Sequence, residues 1–124
     1  MPLTEDQKSR IKMIWQEKDQ LESARRMDLR RAGYQKAQES ARIITRANPH
    51  CEIVLFGSLA RDGWFDSHSD IDLLIRNWSE EFDYWKTLSE CQQVAFPFTV
   101  SIVTDSDIPP SLLQQIALEG KVIS

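Results

Sequence analysis

Hydrophobic and polar positions along this chain alternate between two periods. From Thr4 to about Ala47, Ile11, Ile14 or Trp15, Leu21, Ala24, Met27 or Leu29, Tyr34, Ala37, Ala41 and Ile44 recur at spacings near three and four among Gln, Glu, Lys, Arg and Ala. This is the period of a helix carrying one apolar stripe. The segment has no proline and a single glycine, so it reads either as one long helix or as two divided at Gly33. Thr4, followed by Glu5 and Asp6, predicts an N-cap with favourable charge in the first turn, and Asn48-Pro49 ends the helical region.

Beyond Pro49 the pattern shortens. The apolar runs Ile53 to Phe56 and Ile71 to Ile75 predict two buried strands. Ser79-Glu80-Glu81 predicts a helix start leading through Phe82, Trp85 and Leu88 to a stop near Cys91, and Phe98 to Val103 predicts a strand after Pro97. A last helix is expected from Asp107 or Ile108, with Pro109-Pro110 in its first turn and a cap at Gly120. This order gives an α/β (α+β) fold: a small mixed β-sheet with helices packed on it, preceded by a long helical extension. Residues 1–47 form the extension and residues 50–124 the core of what is expected to be one domain.

Charge divides at the same boundary. Residues 1–47 hold eleven Lys/Arg against seven Asp/Glu, and residues 48–124 hold four against twelve, so a net of −4 conceals a basic extension and an acidic core. Arg25, Arg26, Arg30 and Arg31 share broadly one side of a continuous helix, as a patch for an acidic partner, RNA or the acidic core, or as a solvated face. There is no apolar run near 18 residues and no charged-then-apolar leader, so neither a membrane span nor a secretory signal is expected. Cys51 and Cys91 lack metal-ligand spacing, which fits a reducing cytoplasm.

Chemistry concentrates between Val54 and Ile75. Asp70 and Asp72 interrupt an otherwise apolar strand, where an ionised carboxylate is costly unless something positive binds it. Residues two apart on a strand face the same way, about 6.6 Å apart, so the pair can grip one hard cation. Oxygen ligands without a nearby His or Cys pair suit Mg²⁺ or Mn²⁺, whose shells are commonly completed by water and substrate phosphates. Upstream, Gly57-Ser58 closes the preceding strand and opens a short helical turn. Glycine permits close backbone approach, Ser58 offers a hydroxyl, and free amides at a helix start favour an anion. Arg61 reads as a triphosphate contact or a solvated residue, and Ser69 as a residue holding the loop before Asp70. Asp62, Asp66 and His68 fall in that loop as solvated residues, as does Trp64, the aromatic to test for stacking on a nucleotide.

An apolar strand ending in Gly-Ser, followed after eleven residues by Asp-x-Asp in a second strand, resembles the polymerase β-type nucleotidyltransferase superfamily. The Phe-Gly-Ser-Leu-Ala-Arg spelling, the short length and the closing Asp107-Ile108-Pro109-Pro110…Ile116-Ala117-Leu118-Glu119-Gly120 resemble its minimal nucleotidyltransferases, antitoxins paired with HEPN-domain ribonuclease toxins. The resemblance implies that Gly57, Ser58, Arg61 and Ser69 serve ATP, that Asp70 and Asp72 hold the metal, and that AMP passes to a toxin hydroxyl, expected on Tyr. It implies a HEPN toxin as partner rather than direct nucleic-acid binding. The family commonly carries a third carboxylate on a later strand, and Ser101 aligns with it here. Asp105 and Asp107 lie beyond that strand. Ser101 therefore leaves open an alternative in which the protein neutralises its toxin by binding alone.

Overall fold

The computed structural model describes residues 2–61, 65–81 and 83–124. Helix α1 runs unbroken over Glu5–Ala47, 43 residues, so Gly33 does not divide it. At 1.5 Å per residue it is about 64 Å long, far longer than the sheet it packs on. Thr4 caps it as expected. Its Oγ1 accepts from the Gln7 amide at 3.1 Å, and Gln7 Oε1 accepts from the Thr4 amide at 3.0 Å, which satisfies two donors that a helix start leaves free.

Strand β1 (Glu52–Phe56) leads through a 3₁₀ turn at Gly57–Leu59 and a loop to β2 (Asp70–Arg76). Helix α2 (Tyr84–Ala95), β3 (Thr99–Thr104), α3 (Pro110–Glu119) and β4 (Lys121–Val122) follow. The strand order is β3-β2-β1-β4. β1 pairs antiparallel with β2 and β4, while β2 pairs parallel with β3, which makes the expected mixed sheet.

Side-chain alternation divides the apolar residues between two faces. On one face Ile53, Leu55, Ile71, Leu73, Ile75, Val100 and Ile102 meet Ala37, Ala41 and Ile44 of α1 and Cys91 and Ala95 of α2. On the other, Val54 and Leu74 meet Ile116 of α3, with Phe56 and Val103 alongside. Both sheet faces are thus covered near the middle of β2, which explains its uninterrupted run Leu73-Leu74-Ile75. Asp70 and Asp72 share the face of Leu74 and lie at the N-terminal end of β2.

Four expectations are corrected. α2 begins at Tyr84, after an Asp83 N-cap whose Oδ1 accepts from the Lys86 amide at 3.1 Å, and extends to Ala95 rather than stopping near Cys91. Trp85 is 74% exposed on it and packs only at its edge, against Tyr84 with ring centroids 5.2 Å apart, while Phe82 lies outside the described residues. β4 was not anticipated; two residues carry too little pattern to signal a strand, and it forms only because Val122 and Lys121 meet Val54 and Leu55. The apolar stripe of α1 is buried only in its C-terminal half: Ile14, Trp15 and Leu21 are 63%, 60% and 72% exposed, whereas Gly33, Ala37, Ser40, Ala41 and Ile44 are buried.

Candidate active site

β1 ends where β2 and β3 begin, and the strand register brings the singled-out residues together there. Asp72 stands opposite Phe56 on β1 and opposite Ser101 on β3. Asp70, opposite Thr99, stands two residues away on the same face. Asp70 is exposed and Asp72 half-buried. Burial between two strands pushes the Asp72 carboxyl up from 3.8 to about 6; the negative charge of Asp70 adds to this, and Arg61 opposes it. Asp72 thus disfavours its own ionised form, the electrostatic condition a bound cation relieves.

Gly57 turns the chain away from β1 with φ of 75°, in the left-handed region that side chains resist. A β-carbon there would overlap Asp72 Oδ2. The Gly-Ser turn is therefore pressed directly against the carboxylate, close enough for one ligand to touch both. Two same-face carboxylates, a raised Asp72 and this glycine-lined approach fit a hard divalent cation carrying phosphate. Among the described residues no group of three or more Asp, Glu, His or Cys could hold a metal, so the cation would rest on two carboxylates with the Ser101 hydroxyl alongside.

Asp105 and Asp107 follow the opposite end of β3. Asp105 Oδ2 accepts from the Asn77 amide at 3.4 Å, and Asp107 Oδ2 accepts from Thr104 Oγ1 at 2.8 Å. Neither replaces the missing carboxylate.

The remaining candidates act on the loop. Arg61 donates from Nε to Gly57 O at 3.4 Å and pairs with Glu119 of α3 at 3.9 Å. Ser69 Oγ accepts from the Asp66 amide at 3.0 Å and donates to Asp66 Oδ1 at 3.3 Å, closing the turn before Asp70. The same Asp66 Oδ1 accepts from the amide of exposed His68 at 2.8 Å. Asp62 and Trp64 lie outside the described residues.

One residue that the sequence assigned only to a basic patch belongs here. Arg30 of α1 donates to Ser58 O at 3.2 Å, Leu59 O at 3.0 Å and Arg61 O at 2.9 Å. No local pattern signals a contact between residues 28 to 31 positions apart.

Over residues 41–124 the chain matches the family described as Polymerase beta, Nucleotidyltransferase. No curated protein matches it. Among solved structures, a mutant of the toxin–antitoxin MntA–HpeT superposes with a TM-score of 0.58 at 20% identity, over 71% of this chain and 72% of that one. A toxin–antitoxin with AMP-PNP gives 0.57 at 21% identity, over 70% and 72%. A tri-AMPylated Shewanella oneidensis HEPN toxin in complex with MNT antitoxin gives 0.55 at 20%, over 74% and 71%. At such identities these three show a shared fold. The family match covers well over half of the chain and includes Gly57, Ser58, Asp70, Asp72 and Ser101. The chain belongs to the polymerase β-type nucleotidyltransferases, a family of nucleotide-transferring enzymes.

Proposed function

We propose that this protein is the antitoxin nucleotidyltransferase of a HEPN toxin pair and transfers AMP from ATP to a hydroxyl, expected on Tyr, of its cognate ribonuclease toxin. The observation that carries the reading is the seating of the Gly57-Ser58 turn against Asp72, with Asp70 on the same sheet face. The solved relatives add support, since their names describe an antitoxin with its toxin, AMP-PNP and an AMPylated HEPN protein. Residues 50–124 act as the catalytic unit, with residues 1–47 as its extension.

Gly57 and Ser58 receive the β- and γ-phosphates, with the Leu59 N–H of the same turn as a further donor. Asp70 and Asp72 would hold Mg²⁺ or Mn²⁺, which when bound supplies the charge that neutralises the triphosphate and the departing pyrophosphate. Arg61 braces the turn and adds positive potential beside Asp72, and Ser69 fixes the approach to Asp70 through Asp66. The acceptor oxygen bonds to the α-phosphorus, the bond to the bridging oxygen breaks, and pyrophosphate leaves. The acceptor proton passes to water, because Ser101 offers no carboxylate to take it. The acidic core disfavours nucleic acid as a direct ligand.

No helix among the described residues is long and apolar enough to cross a membrane. Both cysteines are free and buried, which favours the cytoplasm.

A second reading, neutralisation by binding alone, is favoured by Ser101 standing directly beside Asp72. Intact mass of the toxin after incubation with this protein, ATP and Mg²⁺ separates the two, with Asp70→Asn/Asp72→Asn as control. Whole AMP increments that require both aspartates support transfer. A stable complex without any increment overturns it in favour of binding.

A further inference from the structure

We infer that Arg30, on the helical extension outside the family-matched residues 41–124, is a positioning residue that holds the Gly57-Ser58 turn in its nucleotide-binding shape. The inference rests on the proposal that this turn receives phosphate.

Arg30 reaches three carbonyl oxygens of four consecutive residues, Ser58, Leu59 and Arg61, at 3.2, 3.0 and 2.9 Å. A guanidinium suits this because its donors lie in one rigid plane and its charge is permanent. In a trans peptide the N–H points opposite to the C=O. Drawing Ser58 O toward α1 therefore turns the Leu59 amide away from α1.

A second contact supports the same segment of α1. Gly33, one turn beyond Arg30, faces Phe65: a β-carbon at position 33 would lie 2.7 Å from Phe65 Cε1 and 3.3 Å from Leu59 Cδ1. Phe65 is fully buried and its ring lies 5.4 Å from that of Phe98. One turn of α1 thus grips the β1–β2 connection on both sides, at residues 58–61 through Arg30 and at Phe65 through Gly33. The turn that touches Asp72 is fixed from a helix that contributes no candidate ligand of its own.

The test compares the full chain with Arg30→Met, Arg30→Lys and, as control, the exposed neighbour Arg31→Met. The measurements are the affinity for AMP-PNP with Mg²⁺ by calorimetry, KM and kcat for ATP-dependent transfer, and circular dichroism at the assay temperature. Arg30→Met is expected to weaken AMP-PNP binding and raise KM by about tenfold or more, with a smaller effect on kcat, because the phosphate cradle is misplaced while the carboxylates stay. Arg30→Lys, a single ammonium without the fork, is expected to lie between, and Arg31→Met to match the parent. A folded Arg30→Met that binds AMP-PNP as the parent does overturns the inference and leaves the nucleotide site standing. If Arg30→Met does not fold, Arg30→Lys decides, and parental affinity there overturns it. Failure of the parent chain itself to bind AMP-PNP overturns the nucleotide site and this inference together.

Discussion

Gly57 and Asp72 contend for one space: Asp72 Oδ2 lies so near the position a β-carbon on Gly57 would take that the two would overlap. Two separate constraints therefore act on residue 57. Its φ of 75° costs an ordinary residue roughly 1–2 kcal/mol, and any side chain must also displace the carboxylate. Gly57→Ala is expected to lower Tm by at least several degrees and to weaken Mg²⁺-dependent AMP-PNP binding at temperatures where the variant is still folded. Thermal melts with calorimetric titration check this. Unchanged affinity in a folded Gly57→Ala would mean that the turn and the carboxylate do not serve one ligand.

Folding opposes the ionisation of Asp72. Its folded pKa of about 6 lies above the ordinary 3.8, so the native chain holds this proton more tightly than the unfolded one. The resulting stability is fully present below 3.8, fades as pH climbs to about 6, and stays lost above. Removing the charge with Asp72→Asn should therefore stabilise the metal-free protein at neutral pH. One pKa unit is about 1.4 kcal/mol, but solvent screens this half-exposed group, which leaves roughly 1 kcal/mol, or about 3–5 °C in Tm. The advantage should vanish near pH 4. Mg²⁺ should raise the Tm of the parent and not of the variant. Melting curves across pH check all three, and a variant no more stable than the parent at neutral pH would refute the assignment.

How much of this was legible in the chain depends on how local the cause is. β1, β2, Gly57-Ser58 and the two aspartates were readable because each is a feature of consecutive residues: a short continuous apolar run, a glycine at a strand end, charge within such a run. Ser101 was placed only by the family resemblance, and its position opposite Asp72 is set by the register of β2 against β3, which alternation within one strand does not carry. Gly33 was misleading because glycine signals both a helix break and a packing slot, and only Phe65, far along the chain, distinguishes them. The start of α2 shifted because Ser79 and Asp83 are both good caps, and it is the Asp83 carboxylate that accepts from the first turn of the helix. Arg30 could not be placed at all, since its role is fixed by carbonyls that carry no side-chain signature.

Ser101 offers a direct test of the two-carboxylate arrangement. It stands beside Asp72 on the same sheet face, so Ser101→Asp would place a third carboxylate against the pair. Without metal, the added like charge should push the Asp72 carboxyl higher still and destabilise the fold by about 1 kcal/mol at neutral pH. With Mg²⁺ the sign should reverse, with affinity rising by about tenfold as the oxygen count of the site increases. Transfer should quicken with it. Calorimetric Mg²⁺ titration of the parent and Ser101→Asp gives the answer, and equal affinities would mean that residue 101 does not face the cation.

The N-terminal part of α1 should be dispensable for folding. Its helix-buried residues begin at Gly33, and Glu22 is the earliest α1 residue to line a cleft with the loop residues Asp66 and Ser67. Upstream, the ion pairs Lys8–Glu5 and Arg10–Asp6 are largely exposed, and pairs of that kind contribute little. A helical segment of this length without tertiary contacts is marginal in water, so its ordering adds little to the rest of the fold. Deleting residues 2–20 should therefore change Tm by less than about 3 °C and leave AMP-PNP affinity within about twofold, because Arg30 and Gly33 stay in place. Removing residues 2–31 deletes Arg30 as well and should cost the affinity while Ala37, Ala41 and Ile44 still cover the sheet. Equal affinity in both truncated chains would show that α1 covers the sheet without shaping the turn.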